Sequence, residues 1–225
     1  MPEAVSILVY RLDELGSSSR DTARAWFREV LSDLDWYDAV FEDFQRICEI
    51  LGVELKTRTV RLVSGSTRQD PCIYFTGFAC QGDGACYEAD YAYRAGSSRA
   101  IRDYAPKDIW LHRIADTLAA VQRRHFYRLH AEARHSGSYY HKHCMTVTVE
   151  RRTPWAHDVP GVDTEKALTE QLRDLARWLY RQLEREYDYQ TSDDEVDEAI
   201  RANDYTFTED GRRFVQHPRH SAAMA

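Results

Sequence analysis

Several things that would fix a function class are missing from this sequence. No stretch approaches the roughly 18 consecutive apolar residues that a membrane-spanning helix requires. The opening residues, Met1-Pro2-Glu3-Ala4-Val5-Ser6-Ile7, have neither a basic start nor a cleavage-site pattern. No export signal is therefore expected, and the chain is read as cytoplasmic. Its 5 Cys are scattered, odd in number and never spaced as CxxC, so reduced thiols are the default. GxxxxGK[ST], GxGxxG and HExxH are all absent, which removes the usual signatures of phosphate-cradling loops, dinucleotide folds and zinc proteases. Basic charge is in short supply: 30 Lys and Arg stand against 37 Asp and Glu, a formal net charge of -7. Such a field works against general phosphate-backbone binding and suits a basic protein partner. No direct nucleic-acid contact, membrane contact or cofactor is expected.

What is present describes a globular protein. Hydrophobic residues make up 43% and charged residues 30%, against wholesale disorder. The 14 Tyr and 5 Trp can bury area while keeping a polar tip satisfied, in a core or at an interface. At 225 residues one domain is expected, over 1–214, with 215–225 as a frayed tail.

Periodicity organises the chain. Residues 4–10 read as a short strand, and Ser17-Ser18-Ser19 offer cap hydroxyls to a helix over 20–34 with Ala23, Phe27, Val30 and Leu34 on one stripe. A second helix over 36–51 repeats the spacing with Val40, Phe44, Ile47 and Leu51. Residues 53–63 read as a strand or extended arm and 64–71 as a loop. A hairpin is expected from 72–78 through Gln81-Gly82-Asp83-Gly84 into 85–93, and a second from 126–134 through His135-Ser136-Gly137-Ser138 into 139–151. In the latter, Met145, Val147 and Val149 alternate with Thr146, Thr148 and Glu150, giving one buried and one wet face. Helices follow over 97–104, 108–123 and 164–188, the last with Leu168, Leu172, Leu175, Leu179 and Leu183 in register. Ser192 with Glu195 is a capping box for a helix over 193–202, and Tyr205-Thr206-Phe207-Thr208 reads as a strand. The fold class predicted is α+β: an antiparallel sheet built from two hairpins, with amphipathic helices packed on one face.

Each candidate for chemistry has a plainer explanation. His135, His141, His143 and Cys144 are zinc-ligating types, with His141 and His143 on one strand face and Cys144 on the other. The plainer account is a polar strand end beside Tyr139 and Tyr140. Gln81-Gly82-Asp83-Gly84 could present backbone N–H groups to an anion, but it joins two strands and reads better as a tight turn. Glu88 and Asp90 share a strand face, and with Asp83 could supply a general acid; a solvated face is the commoner outcome. Cys80 and Cys86 flank one turn as free thiols. Asp193, Asp194 and Asp197, with neighbouring Glu, could compete for a basic groove on another protein, or simply face water. Arg123-Arg124-His125-Phe126-Tyr127-Arg128 is anchor-like in composition.

Four stretches resemble a family found in phages, prophages and plasmids. They are Val9-Tyr10-Arg11-Leu12-Asp13-Glu14-Leu15 with Ala23-Arg24-Ala25-Trp26-Phe27-Arg28-Glu29; Ile73-Tyr74-Phe75-Thr76-Gly77-Phe78 running into Gln81-Gly82-Asp83-Gly84-Ala85-Cys86-Tyr87-Glu88; Tyr139-Tyr140-His141; and Tyr205-Thr206-Phe207-Thr208-Glu209-Asp210-Gly211-Arg212. The family is commonly labelled antitoxin of a toxin–antitoxin stability system. The chain departs from its pattern at Ala79-Cys80, where the family tends to have Trp-Ser, and in a longer arm from Lys56 to Asp70. The resemblance implies a non-enzymatic inhibitor from a mobile genetic element that occludes a protein partner. That partner is either a toxin or, as with an anti-CRISPR, a nucleic-acid-binding host defence complex. The residues expected to meet it are Gln81, Asp83, Glu88, Asp90, Tyr139, Tyr140, His141, Asp193, Asp194 and Asp197. A metal-dependent or acid–base enzyme around His141, His143, Asp83, Glu88 and Asp90, and a DNA-binding regulator, are the alternatives.

Overall fold

The computed structural model describes residues 7–152, 157–158 and 160–215. In chain order the elements are a 3-10 turn (Leu12–Glu14), α1 (Ser17–Ser32), α2 (Asp38–Leu51), β1 (Val53–Leu55), β2 (Thr57–Arg61), β3 (Thr67–Pro71), β4 (Ile73–Phe75), β5 (Ala85–Tyr87), β6 (Ala89–Ala92), α3 (Ser97–Tyr104), α4 (Ile109–Arg124), β7 (Leu129–His135), a 3-10 turn (Lys142–Cys144), β8 (Met145–Arg152), β9 (His157–Asp158), α5 (Val162–Gln190) and α6 (Asp193–Ala202). The fold is α+β with antiparallel sheets, as expected. The expected tail falls, beyond residue 215, outside the described residues, as do positions 4–6 of the first predicted strand. The chain divides into two compact units, one of residues 38–185 and one formed by the two ends, 1–37 and 186–225.

In the larger unit, β1, β6, β7, β8 and β9 form one antiparallel sheet in that order. Side chains in β7 and β8 alternate between faces, as period-two geometry demands. Leu129, Ala131, Ala133, Met145, Val147 and Val149 are buried. Helices close over that side. Gln122 of α4 donates to the Leu129 carbonyl at 2.8 Å, Arg173 of α5 to that of Met145 at 3.1 Å, and the Tyr87 hydroxyl to that of Leu172 at 2.9 Å. Phe44 of α2 packs on Tyr87 and Trp178 at centroid distances of 5.4 and 6.4 Å. Asp108 caps α4 with one carboxylate oxygen and accepts from the Trp178 indole with the other.

The strands differ from the predicted pair of hairpins in three places. The stretch 85–92 is split at Glu88: β5 pairs with β4, while β6 pairs with β1 and β7. At the split three chain segments meet, with Lys56 N–H donating to Glu88 O, Glu88 N–H to Cys72 O and Cys72 N–H to Lys56 O. Above that junction β2 and β3 form a ladder of their own, an exposed arm, so the predicted loop over 64–71 contains a strand. β3 (Thr-Arg-Gln-Asp-Pro) has no apolar alternation to reveal it. Finally, the strand predicted from residue 139 begins at Met145, because Lys142–Cys144 coil into a 3-10 turn.

The smaller unit gathers α1, α6 and the segments around Tyr10 and Phe207, whose backbones exchange two hydrogen bonds of 2.8 Å. Residues 205–208 supply isolated bridges in place of the predicted strand. Leu12, Leu15, Ala23, Phe27, Val196, Ile200 and Phe207 form its core. Trp26 sits edge-on to Tyr205 and Phe207, and the Arg213 guanidinium lies 4.5 Å from the Tyr205 ring centroid. Gly16, not a serine hydroxyl, occupies the N-cap of α1. Two of the four stretches that carry the family resemblance, the first and the last, thus meet in one core. Gly211 closes it: at φ +82° its missing Cβ would stand 2.0 Å from the Ser19 carbonyl oxygen. Gly211→Ala is expected to destabilise this unit by at least about 2 kcal/mol, read as a lowered midpoint in chemical denaturation followed by Trp fluorescence. An unchanged midpoint would show that the close approach to Ser19 is not maintained in solution.

Candidate partner-binding surfaces

The turn before β5 is built around one carboxylate. Asp83 Oδ2 accepts from the backbone N–H of Ala79 at 3.0 Å and of Cys80 at 2.7 Å. Those bonds hold its carboxyl below the usual range. Asp83 is therefore a brace for its own turn, which argues against a free acid there, while Gln81 stands exposed beside it. The turn lies against Tyr139-Tyr140-His141. A Cβ on Gly84 would come within 2.5 Å of that of His141, and one on Gly82 within 3.6 Å of the Tyr139 ring. The close approach is why glycine is needed at 84.

Aromatic stacking extends this neighbourhood. Tyr140 stacks on Tyr74 at 5.3 Å, His135 lies 5.1 Å from Tyr140, and Arg58 sits over Tyr74 at 5.5 Å. Burial pushes the Tyr74 phenol up to about 12. Because 142–144 is a 3-10 turn, His141 and Cys144 share a side, contrary to the predicted strand, with Nε2 and Sγ 3.6 Å apart. His141 Nδ1 accepts from the His143 backbone N–H at 3.2 Å. A neutral ring must then carry its proton on Nε2, facing Cys144 as a donor, which is the wrong tautomer for a base that would activate the thiol. Desolvation and nearby Lys142 and Arg173 hold His143 below its ordinary value. Cys86 is buried in β5, and burial raises its thiol to about 12, whereas Cys80 is exposed; both are free. Among the described residues no group of three or more His, Cys, Asp or Glu is placed to hold a metal ion.

The second surface is the uncovered face of the five-stranded sheet. Strand register sets Glu54 opposite Asp90, Asp90 opposite Glu132 and Glu132 opposite Thr148, so three carboxylates stand side by side on neighbouring strands. Like charges directly opposite each other in a sheet are destabilising. Glu132 is offset by Arg134, at 2.7 Å, and by Lys56, which together pull its carboxyl down to about 2. Glu54 and Asp90 have no ion-pair partner among the described residues. The row borders an open cleft of about 460 Å³ that His130, Glu150 and Arg152 also line. Desolvation and the Arg152 charge lower the His130 pKa, favouring a neutral ring. Glu88, at the three-segment junction, lies within the electrostatic reach of Arg134.

The third candidate, the acidic start of α6, is largely engaged within its own unit. Arg24 grips Asp197 with two bonds of 2.7 and 2.8 Å and reaches Asp193 at 2.9 Å, while Arg28 takes the other Asp193 oxygen at 2.6 Å. Asp197 is buried, and Arg24 holds its carboxyl below the usual range. Asp193 and Asp194 are both exposed, and of the three aspartates Asp194 is the one with no ion pair among the described residues. These ion pairs span more than 160 positions, which no local pattern reveals. A depressed carboxylate pKa contributes stability above the unfolded value, near 4, and loses it as pH falls through the lower folded value. Asp197→Asn should therefore cost about 2 kcal/mol at neutral pH and flatten the fall in stability between about pH 5 and 3. Denaturant titrations at several pH values check both effects, and parallel pH profiles for parent and variant would deny the Arg24 pair its role.

No curated protein and no solved structure matches the chain. Residues 36–193, well over half of the sequence and nearly the span of the larger unit, match the family described as a domain of unknown function (DUF8835), and the chain belongs to that family.

Proposed function

We propose that this chain acts by binding a basic protein surface on the open face of its sheet, and not by catalysis. The observation that carries this reading is the register-aligned row Glu54, Asp90 and Glu132, on a face where Glu54 and Asp90 are exposed and that no helix covers among the described residues. Two of the three carboxylates have no close ion pair among the described residues, Asp90 meeting Arg134 only at longer range, so a Lys- or Arg-lined partner would relieve a repulsion that the free protein carries. A nucleic-acid-binding protein presents such a groove. An inhibitor from a mobile genetic element, neutralising a toxin or a host defence complex, is the biological role this suits, in line with the resemblance of its Gln81–Glu88 and Tyr139–His141 segments. The exposed ring of Tyr139 and the turn at Gln81 supply a second contact region in the same unit. The enzyme alternative has less support, since Asp83 is tied up by its own turn and His141 Nδ1 is taken by the His143 backbone N–H.

Co-purification from cells of the native host, with the captured protein identified by mass spectrometry, tests the reading. The variant Asp90→Lys, which sets a cation between Glu54 and Glu132, should fold at least as stably as the parent and bind the captured partner at least about tenfold more weakly. Asp194→Lys should bind as the parent does. Equal binding by all three proteins would exclude the sheet face, and substrate turnover lost on changing His141 would replace the whole reading.

A further inference from the structure

Between α4 and β7 the chain reverses through His125, Phe126, Tyr127 and Arg128, and two consecutive bulky residues adopt the left-handed backbone, Phe126 at φ 56° and Tyr127 at φ 59°. That region is unfavourable for a residue with a large side chain, so surrounding bonds must hold it. Gln122 does so from a fully buried position. Its side-chain amide donates to the Leu129 carbonyl at 2.8 Å and accepts from the Leu129 N–H at 3.2 Å, and its own carbonyl takes the Tyr127 N–H at 2.8 Å. The Tyr127 ring rests on Tyr93 at 4.4 Å, and His125 Nε2 lies 3.0 Å from Thr164 Oγ1. The turn is thus pinned at both ends. What it presents is the Phe126 ring, 78% exposed, flanked by Arg123, Arg124 and Arg128, all exposed and without an ion-pair partner among the described residues.

We propose that this reversal is a docking point for single-stranded nucleic acid, with a base stacked on Phe126 and backbone phosphates on Arg123, Arg124 and Arg128. A lone protruding ring is matched by the flat π face that every base offers, and unpaired guanidiniums by phosphate oxygens. An acidic protein would satisfy the arginines but would need a pocket of its own for the ring. The overall charge of -7 does not oppose this locally: residues 38–185 carry 22 Lys and Arg against 20 Asp and Glu, while the two chain ends carry 8 against 17. The proposal does not depend on the sheet face as a protein-binding surface, and either can fail alone.

The test is fluorescence anisotropy of a labelled oligo(dT), about 20 nucleotides long, titrated with the full chain at about 50 and 200 mM salt. Saturable binding that weakens with salt is expected. Arg124→Glu with Arg128→Glu should lower affinity at least about tenfold and flatten the salt dependence. Phe126→Gly removes the stacking ring and also relieves the left-handed strain, so it should weaken binding roughly five- to tenfold or more while the melting temperature holds or rises. No saturation by the parent, or equal affinity for parent and both variants, overturns the proposal. So does a labelled poly-glutamate peptide that binds through these residues while oligo(dT) does not, which would assign the turn to an acidic protein.

Discussion

Two-residue alternation along β7 and β8 is the constraint on which the larger unit depends. It gathers Leu129, Ala131, Ala133, Met145, Val147 and Val149 on one side, where α4 and α5 cover them. A slip of one residue in pairing would bury Glu132 and Thr148 in their place. The same alternation leaves the other side polar, and cross-strand register then decides which polar groups become neighbours. The alignment of Glu54, Asp90 and Glu132 is thus a by-product of packing the opposite face correctly. Its charge is tolerated because Lys56 and Arg134 neutralise one member, Arg134 acts on Asp90 as well, and Glu54 and Asp90 are exposed.

The helices were legible because their signal is local. α2, α5 and α6 carry apolar residues at three- and four-residue spacing, and Ser192 accepts from the Glu195 N–H at the start of α6 as its capping pattern implies. β8 was legible from Met145 onward for the same reason. β3 was hidden, since Thr67 to Pro71 offers no apolar residue, and only pairing with Thr57 to Arg61 makes it a strand. The 3-10 turn at 142–144 was hidden as well, because alternation read backwards from β8 ran through it, and that error put His141 and Cys144 on opposite faces.

The candidate surfaces were legible in composition and illegible in arrangement. Gly84 against His141 joins two pieces of the family resemblance, yet nothing local says that they touch. The acidic opening of α6 looked free along the sequence and is gripped by Arg24 and Arg28 from the far end of the chain. The acidic row of the sheet requires two registers at once. The left-handed backbone at Phe126 and Tyr127 was invisible because no glycine or asparagine marks it; a buried glutamine imposes it from outside the turn.

The junction of Lys56, Cys72 and Glu88 has its own consequence. Three backbone hydrogen bonds close the base of the β2–β3 arm, so nothing in the five-stranded sheet has to know how long the arm is. Sequence can be added or removed at its tip, around Ser64 and Gly65, at the small entropic cost of a longer loop. The length of the arm is then something the fold absorbs, and the tip is a natural place to graft an epitope or fluorophore onto the intact protein.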